Sequence, residues 1–258
     1  MDVGIIGSGN LASQLTEALS RSGFTPLFIH SRNQKTGKAL SRKSGAPFLK
    51  AVPPAVNPKN SVLLLCVSDD AIDSCMSQYQ SLGYTLIHHS GMKSLPDLRK
   101  INCGCAVLWP VQTLSTQLKP DWKKVPLCIE ASDKESLSKV RKIARILGGP
   151  IYLLDSDARA QAHLAAVFSN NFVNAQFSIA EAILKPKKIP FELLLPLIRQ
   201  TVAGVKKSGN RERQTGPARR GDLKSIRHQE KMLESEPELK KVYKAISAYL
   251  LKDFGHSS

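Results

Sequence analysis

His163, Asn170 and Asn174 are the residues whose types and spacing first suggest chemistry. They sit in QAHLAAVFSNNFVN, residues 161–174, a stretch otherwise rich in alanine and apolar side chains. At about 100° per residue on a helix, the three fall within about 40° of one another. Val167 lies on the same stripe and Asn171 at its edge. An imidazole can give or take a proton near neutral pH, and an amide can orient a polar group by hydrogen bonding. A polar seam of this kind needs a partner, and water, another helix or a ligand could each supply it.

A second constellation opens the chain. DVGII, residues 2–6, reads as a short buried strand and runs into GSGNLASQLTEALSRSG. Gly7, Gly9 and Ala12 fit G-x-G-x-x-A at a strand–helix junction. Gly7 permits the tight turn, Gly9 lets the backbone approach a pyrophosphate, and Ala12 keeps helix and strand close. The helix N-terminus offers N–H groups to the anion. Gly7, Ser8, Gly9, Asn10 and Leu11 are therefore the expected cofactor turn of a dinucleotide site. A structural glycine turn is the alternative, but the helix ends near Gly23 and a second strand, PLFIHS, follows directly, as such a site requires.

The end of that second strand bears on which dinucleotide is held. NAD sites usually place Asp or Glu there for the ribose hydroxyls. Here the chain reads His30-Ser31-Arg32-Asn33-Gln34-Lys35, with no acid. Ser31, Arg32 and Lys35 suit a 2′-phosphate, because guanidinium makes bidentate, charge-assisted bonds to phosphate. The expected cofactor is NADP, with a generic basic loop as the alternative.

The elements that must position these groups alternate. SVLLLCV (61–67) is an apolar strand ending in a helix cap at Ser68-Asp69-Asp70. TLIHHSG (85–91), CAVLWPVQTLS (105–115, breaking at Pro110), VPLCIE (125–130) and PIYLLD (150–155) are further strands, with a helix across 132–147. Ligands of such open sheets bind beyond the strand C-termini, which adds Val67, Ser68 and Ser90 to the expected cofactor contacts. His88 and His89 point to opposite faces of a strand, and no metal site is expected. From Ser156 the pattern turns helical, over 157–184, 190–207, 221–233 and 237–253. The predicted fold is an α/β Rossmann dinucleotide-binding domain, 1–155, followed by an all-α domain, 156–258.

Composition narrows the classes. The 258 residues, 42% of them hydrophobic, suffice for one large domain or two moderate ones. No run approaches about 18 consecutive apolar residues, so no membrane span is expected, nor is a signal peptide. Five cysteines without CxxC spacing suit reduced thiols in a cytoplasmic protein. The net charge of +16 favours anionic partners. Between Lys185 and Lys231 there are 13 Lys or Arg against four acids. That run reads either as a solvated surface or, through the turn chemistry of Thr215-Gly216-Pro217-Ala218, as a fixed loop presenting Arg219 or Arg220 to an anion. Nucleic-acid binding is not favoured, since few aromatics interleave the basic residues.

Taken in order, GIIGSGNLA (4–12), HHSG (88–91), WPVQTLS (109–115), His163 with Asn170, and TGPARRGD (215–222) span nearly the whole chain. They resemble the Rossmann-like NADP oxidoreductases related to pyrroline-5-carboxylate reductase and to the 6-phosphogluconate and β-hydroxyacid dehydrogenases. More narrowly, they are similar to the branch whose C-terminal helical domain long lacked an assigned function. The resemblance implies NADPH-dependent reduction of a small anionic substrate, a homodimer, and for some members ketopantoate reduction. One departure stands out. The β-hydroxyacid dehydrogenases carry a catalytic lysine in a K-x-x-N-N helix, and here that position is Val167. His163, one turn earlier, is then the candidate acid, with Asn170 orienting the carbonyl or the nicotinamide amide. Asn174, Arg219, Arg220 and Lys224 are the expected substrate-holding residues. Imine reduction of the pyrroline-5-carboxylate type and a non-catalytic NADP-sensing role are the competing expectations.

Overall fold

The computed structural model describes residues 1–95, 101, 103–115, 119–205 and 209–256. It forms two compact units, Met1–Ser169 and Asn170–Ser258. The division thus falls inside a helical stretch rather than at the expected 155/156 boundary.

The first unit is built on a seven-stranded sheet in the order β2-β1-β3-β4-β5-β6-β7. Its strands are β1 (Asp2–Ile6), β2 (Phe28–His30), β3 (Ser61–Leu65), β4 (Thr85–His88), β5 (Cys105–Pro110), β6 (Leu127–Ala131) and β7 (Ile151–Leu153). β1 to β5 run parallel, β6 pairs antiparallel with β5, and β7 runs parallel to β6. All five residues of SVLLL in β3 are buried. Continuous apolar strands of this kind belong to a parallel sheet covered on both faces. The helices α1 (Asn10–Arg21), α2 (Gln34–Ser44), α3 (Asp69–Tyr79) and α4 (Lys134–Leu147) belong to this unit. Two buried clusters form its core: one includes Val3, Ile5, Leu15 and Ile143, the other Phe28, Leu63, Met76 and Trp109.

Helix starts follow capping chemistry. Asn33, Asp133 and Asp155 each accept a backbone N–H two or three residues into α2, α4 and α5 (Ser156–Ala166). β3 and β4 stop earlier than their apolar runs predict, at Leu65 and His88, because the following residues peel away as the loops at the strand C-termini.

The expected helix over 157–184 is helical throughout but not α-helical throughout. A five-residue π-helical segment, Val167–Asn171, separates α5 from α6 (Phe172–Leu184). The helix predicted over 190–207 is a 3₁₀ turn, Phe191–Leu194, followed by α7 (Leu195–Gly204), with Pro196 in its first turn. Residues 206 and 207 of that prediction lie outside the described residues. α8 (Leu223–Met232) is capped by Asp222, which accepts from Ser225 N at 3.0 Å. α9 (Pro237–Asp253) matches its predicted bounds. The buried core of this second unit is small, centred on Ala218, Ile226 and Leu251. Among the described residues, no helix is long and apolar enough to cross a membrane, and no group of three or more His, Cys, Asp or Glu could hold a metal ion.

Candidate active site

The order of β2, β1 and β3 makes the gap between β1 and β3 a switch point, where an open sheet leaves room for a ligand. A cavity of about 890 Å³ lies there, lined by Gly7 and Ser8 from the β1 turn, Ser31 and Arg32 from the end of β2, and Val67 and Ser68 after β3. That volume is in the usual range of small-molecule clefts.

The glycine turn is built for an anion. Gly7 adopts φ +111°, and a Cβ there would lie 2.1 Å from the carbonyl oxygen of Cys66. A side chain at Gly7 is therefore excluded twice, by backbone conformation and by contact. A Cβ at Gly9 would meet nothing within 4 Å, so its bareness leaves open space above the start of α1. Gly9 is also the N-cap of α1, and no side chain caps that terminus. The free first-turn N–H groups and the positive helix end suit a pyrophosphate.

A chain of hydroxyls ties this turn to the end of β2. Ser8 Oγ lies 2.8 Å from Ser31 Oγ and 2.6 Å from Thr36 Oγ1, while Asn33 Oδ1 accepts from Thr36 N. Arg32 lies exposed at the cavity wall. Burial raises the Cys75 thiol and the Tyr79 phenol above their ordinary pKa values, and the nearby Arg32 charge pulls both back. Among the described residues lining the cavity, Asp70, in the first turn of α3, is the sole carboxylate. The end of β2 thus offers a hydroxyl and a guanidinium and no acid. The residues present fit a dinucleotide carrying a 2′-phosphate.

Not every expected contact lines this cavity. Lys35 is exposed in the first turn of α2, outside the lining. Asn10 donates to the Leu114 carbonyl at 3.4 Å, and Leu11 packs against the core. Ser90 is buried: its Oγ donates to Asp69 Oδ2 at 2.6 Å and accepts from Met92 N and Lys93 N. Its hydroxyl is engaged in shaping the turn after β4, which the strand pattern could not reveal. Thr36, conversely, has no local sequence signal, because nothing in α2 marks it until β2 brings Ser31 beside Ser8.

A second cluster in the same unit surrounds His163, on α5. Its ring meets Trp109 edge-on, with centroids 5.5 Å apart and planes at 61°. A Cβ on Gly91 would lie 2.5 Å from His163 Nδ1, so glycine is required for the imidazole to sit there. Nδ1 is buried without a hydrogen-bond partner. Nearby, His89 Nδ1 donates to the Leu108 carbonyl at 2.7 Å, and His88 Nδ1 accepts from Ser90 N at 3.2 Å. Burial pushes His88 down to about 3, helped by the Arg159 charge, and pushes His89 down to about 4 against the Leu108 bond. Both rings are neutral parts of the scaffold.

The expected stripe of His163, Asn170 and Asn174 needs correcting. The π-helical turns of 167–171 lie between them, so the 100° step that aligned the three does not hold. Asn170 and Asn174 belong to the second unit and are exposed, and Asn170 Nδ2 donates to Asn171 Oδ1 at 3.4 Å. In the same unit Arg219 donates to the carbonyls of Glu212 and Gln214 and lies 5.6 Å from the Phe254 ring centre. Its guanidinium shapes the basic loop. Arg220 and Lys224 are exposed.

Fold and cleft together define a dinucleotide-binding oxidoreductase of the Rossmann class. Two family models match: residues 2–87 fit one described as NADP oxidoreductase, coenzyme F420-dependent, and residues 125–250 fit a domain of unknown function. A Bacteroides fragilis structure provisionally described as an NADP oxidoreductase is 31% identical, with 97% of this chain and 98% of that one covered and a TM-score of 0.86. The chain belongs to this family of NADP oxidoreductases, and its cofactor is NADP. An imine reductase from Myxococcus stipitatus in complex with NAD⁺ is 18% identical, covering 98% and 93% of the two chains with a TM-score of 0.61. A pyrroline-5-carboxylate reductase from Streptococcus pyogenes is 14% identical, covering 98% of each with a TM-score of 0.60. These last two likenesses concern the fold. No curated protein matches the chain by sequence.

Proposed function

We propose that the chain reduces the carbonyl of a small 2-oxo acid, with ketopantoate as the first candidate and His163 as the proton donor. The observation that carries this reading is the seat of His163. Its Nδ1 is closed in against Gly91 while Trp109 braces the ring, which leaves Nε2 as the nitrogen for chemistry. NADPH bound at the glycine turn would supply the hydride to the substrate's carbonyl carbon. The Gly7–Leu11 turn and the N-terminus of α1 would hold its pyrophosphate, and Ser31 and Arg32 would hold the 2′-phosphate. In its doubly protonated form His163 gives the Nε2 proton to the substrate oxygen as negative charge develops there and is left as the neutral ring with its hydrogen on Nδ1, work typically worth about 10²–10⁴ in rate. Valine at 167 leaves no lysine at that position to compete for this role.

Asn170 and Asn174 retain their proposed roles in orienting substrate, and Arg219, Arg220 and Lys224 in attracting its carboxylate. Of the cations, Arg220 and Lys224 are the better candidates, because Arg219 already holds two carbonyls. Replacing either by Ala should raise KM for a carboxylate substrate with little change in kcat. The proposed partner in solution is a second copy of the chain, which would cover the apolar side chains that α6 and α7 leave exposed.

The deciding experiment follows NADPH oxidation by the purified protein with ketopantoate and pyrroline-5-carboxylate side by side. Turnover of ketopantoate alone supports the reading. Turnover of the imine alone replaces it with pyrroline-5-carboxylate reduction, the activity named for the Streptococcus pyogenes relative in fold. Silence with both, alongside tight NADPH binding, would favour a non-catalytic NADP sensor.

A further inference from the structure

We propose that Arg159 is a positioning residue for His163: it locks the turn whose Gly91 forms the seat of the imidazole. The inference rests on the reading of His163 as proton donor, but its geometry stands independently. Arg159 is completely buried in α5, four residues before His163, so the two side chains occupy the same helix face one turn apart. Its guanidinium reaches the turn after β4 at three points. Nη1 donates to the carbonyls of Ser90 and Gly91 at 3.3 and 3.1 Å, and Nη2 donates to that of Lys93 at 2.9 Å. Nη2 also meets Glu130 Oε2, on β6, at 2.7 Å. Ser156 closes the knot: its Oγ donates to Glu130 and accepts from Leu95 N at 3.0 Å.

Gly91 is the point where the two side chains of α5 converge. Arg159 holds its carbonyl, and the His163 ring lies where a Cβ would be. The ring itself has no hydrogen bond at Nδ1 to fix its orientation. Packing against Gly91 and Trp109 must do that work, and the position of Gly91 is set by Arg159. A buried ion pair is a poor source of stability compared with apolar packing of the same volume. Its value here lies in fixing geometry, since small misplacements of a catalytic group can cost on the order of a hundredfold in rate.

The test uses full-length R159K, R159M, E130Q and H163A proteins. The His163 ring signals in the NMR spectrum are assigned by their loss in H163A, and NADPH affinity and the kcat and KM for ketopantoate are measured for each variant. R159M and R159K should displace the His163 ring signals and lower kcat by roughly tenfold or more, with NADPH affinity and KM little changed. R159K, which keeps a charge but loses the fork, should be the milder. Should R159M fail to fold, E130Q carries the same expectation, because it loosens the anchor of Arg159 while preserving the shape of its side chain. Ring signals unmoved in both R159K and E130Q would overturn the proposal whatever the rates. Displaced ring signals with unchanged kcat would uphold the seat and instead overturn the catalytic reading of His163.

Discussion

β3, β4 and β5 in the first unit are buried at every residue, whereas α6 in the second unit, apolar along most of its length, buries none. Neighbouring α7 repeats the contrast, with Leu197 and Val202 each 61% exposed. The two regions solve the same physical problem differently. A parallel sheet between helices covers its own apolar faces and gains roughly 25 cal/mol for each Å² removed from water. Helices that keep large apolar side chains outward leave that gain to a partner surface, and exposed patches of this kind commonly mark interfaces. The contrast sets a first unit whose core and cofactor cleft are self-contained beside a second unit whose α6 and α7 keep apolar side chains exposed.

The largest expected effect separates chemistry from that self-contained scaffold. H163A should lower kcat by about 10²–10⁴, while NADPH binding, measured by fluorescence titration, stays near wild type because no cavity-lining residue is touched. A variant that keeps its full rate would remove His163 from the mechanism. A variant that loses NADPH binding as well would break the idea that cleft and proton donor are independent features of the unit.

Next in size is the effect expected if a second copy covers α6 and α7, as proposed. L197E places a charge on an exposed apolar face of α7 and should convert the protein to monomer in analytical ultracentrifugation, with dissociation strengthened by roughly a hundredfold or more. NADPH affinity should survive that change. An unaltered mass would mean that another surface holds the copies together, or that the chain is a monomer already.

R32E sharpens the account of the cleft itself. Reversing the charge beside the 2′-phosphate should weaken NADPH by roughly 10- to 150-fold, the worth of about 1.5–3 kcal/mol for a hydrogen bond to a charged group. NADH, which lacks that phosphate, should lose far less. Equal losses would show that Arg32 shapes the loop without contacting the phosphate.

How much of this was legible in the sequence differs between the units for the same physical reason. The strands and the glycine turn were readable because local rules determine them: unbroken apolar runs, a G-x-G-x-x-A spacing, and the missing acid after β2. The predicted bounds of β1 and α9 match the structure residue for residue. The π segment at 167–171 was not readable, since VFSNN fits an α-helix equally well by composition, and so the stripe of His163, Asn170 and Asn174 was drawn too straight. Arg159 and Glu130 escaped because their meeting depends on α5 crossing the end of β6, contacts far apart in the chain. Trp109 and Gly91 belong to motifs legible in the sequence, but their closeness to His163 is a tertiary fact.

The last prediction concerns the pH dependence of that self-sufficient core. His89 is buried and held at about 4, well below the ordinary histidine value near 6.5, because burial disfavours the charged ring. In the unfolded chain the same ring takes up a proton near 6.5. Between those values the unfolded state binds more protons than the folded one, so acidification favours unfolding. The stability contributed by a neutral His89 is fully present above about pH 6.5 and is lost as pH falls toward 4. His88, held at about 3, acts in the same sense over a slightly wider window. Each ring should add about 1.4 kcal/mol per pH unit to the slope of unfolding free energy within its window. Urea titrations at several pH values should therefore show a shallower slope for H89N than for the parent chain between pH 6 and 4.5. An identical slope would mean that His89 protonates in the folded state without cost, and that the end of β4 opens to water more readily than its burial implies.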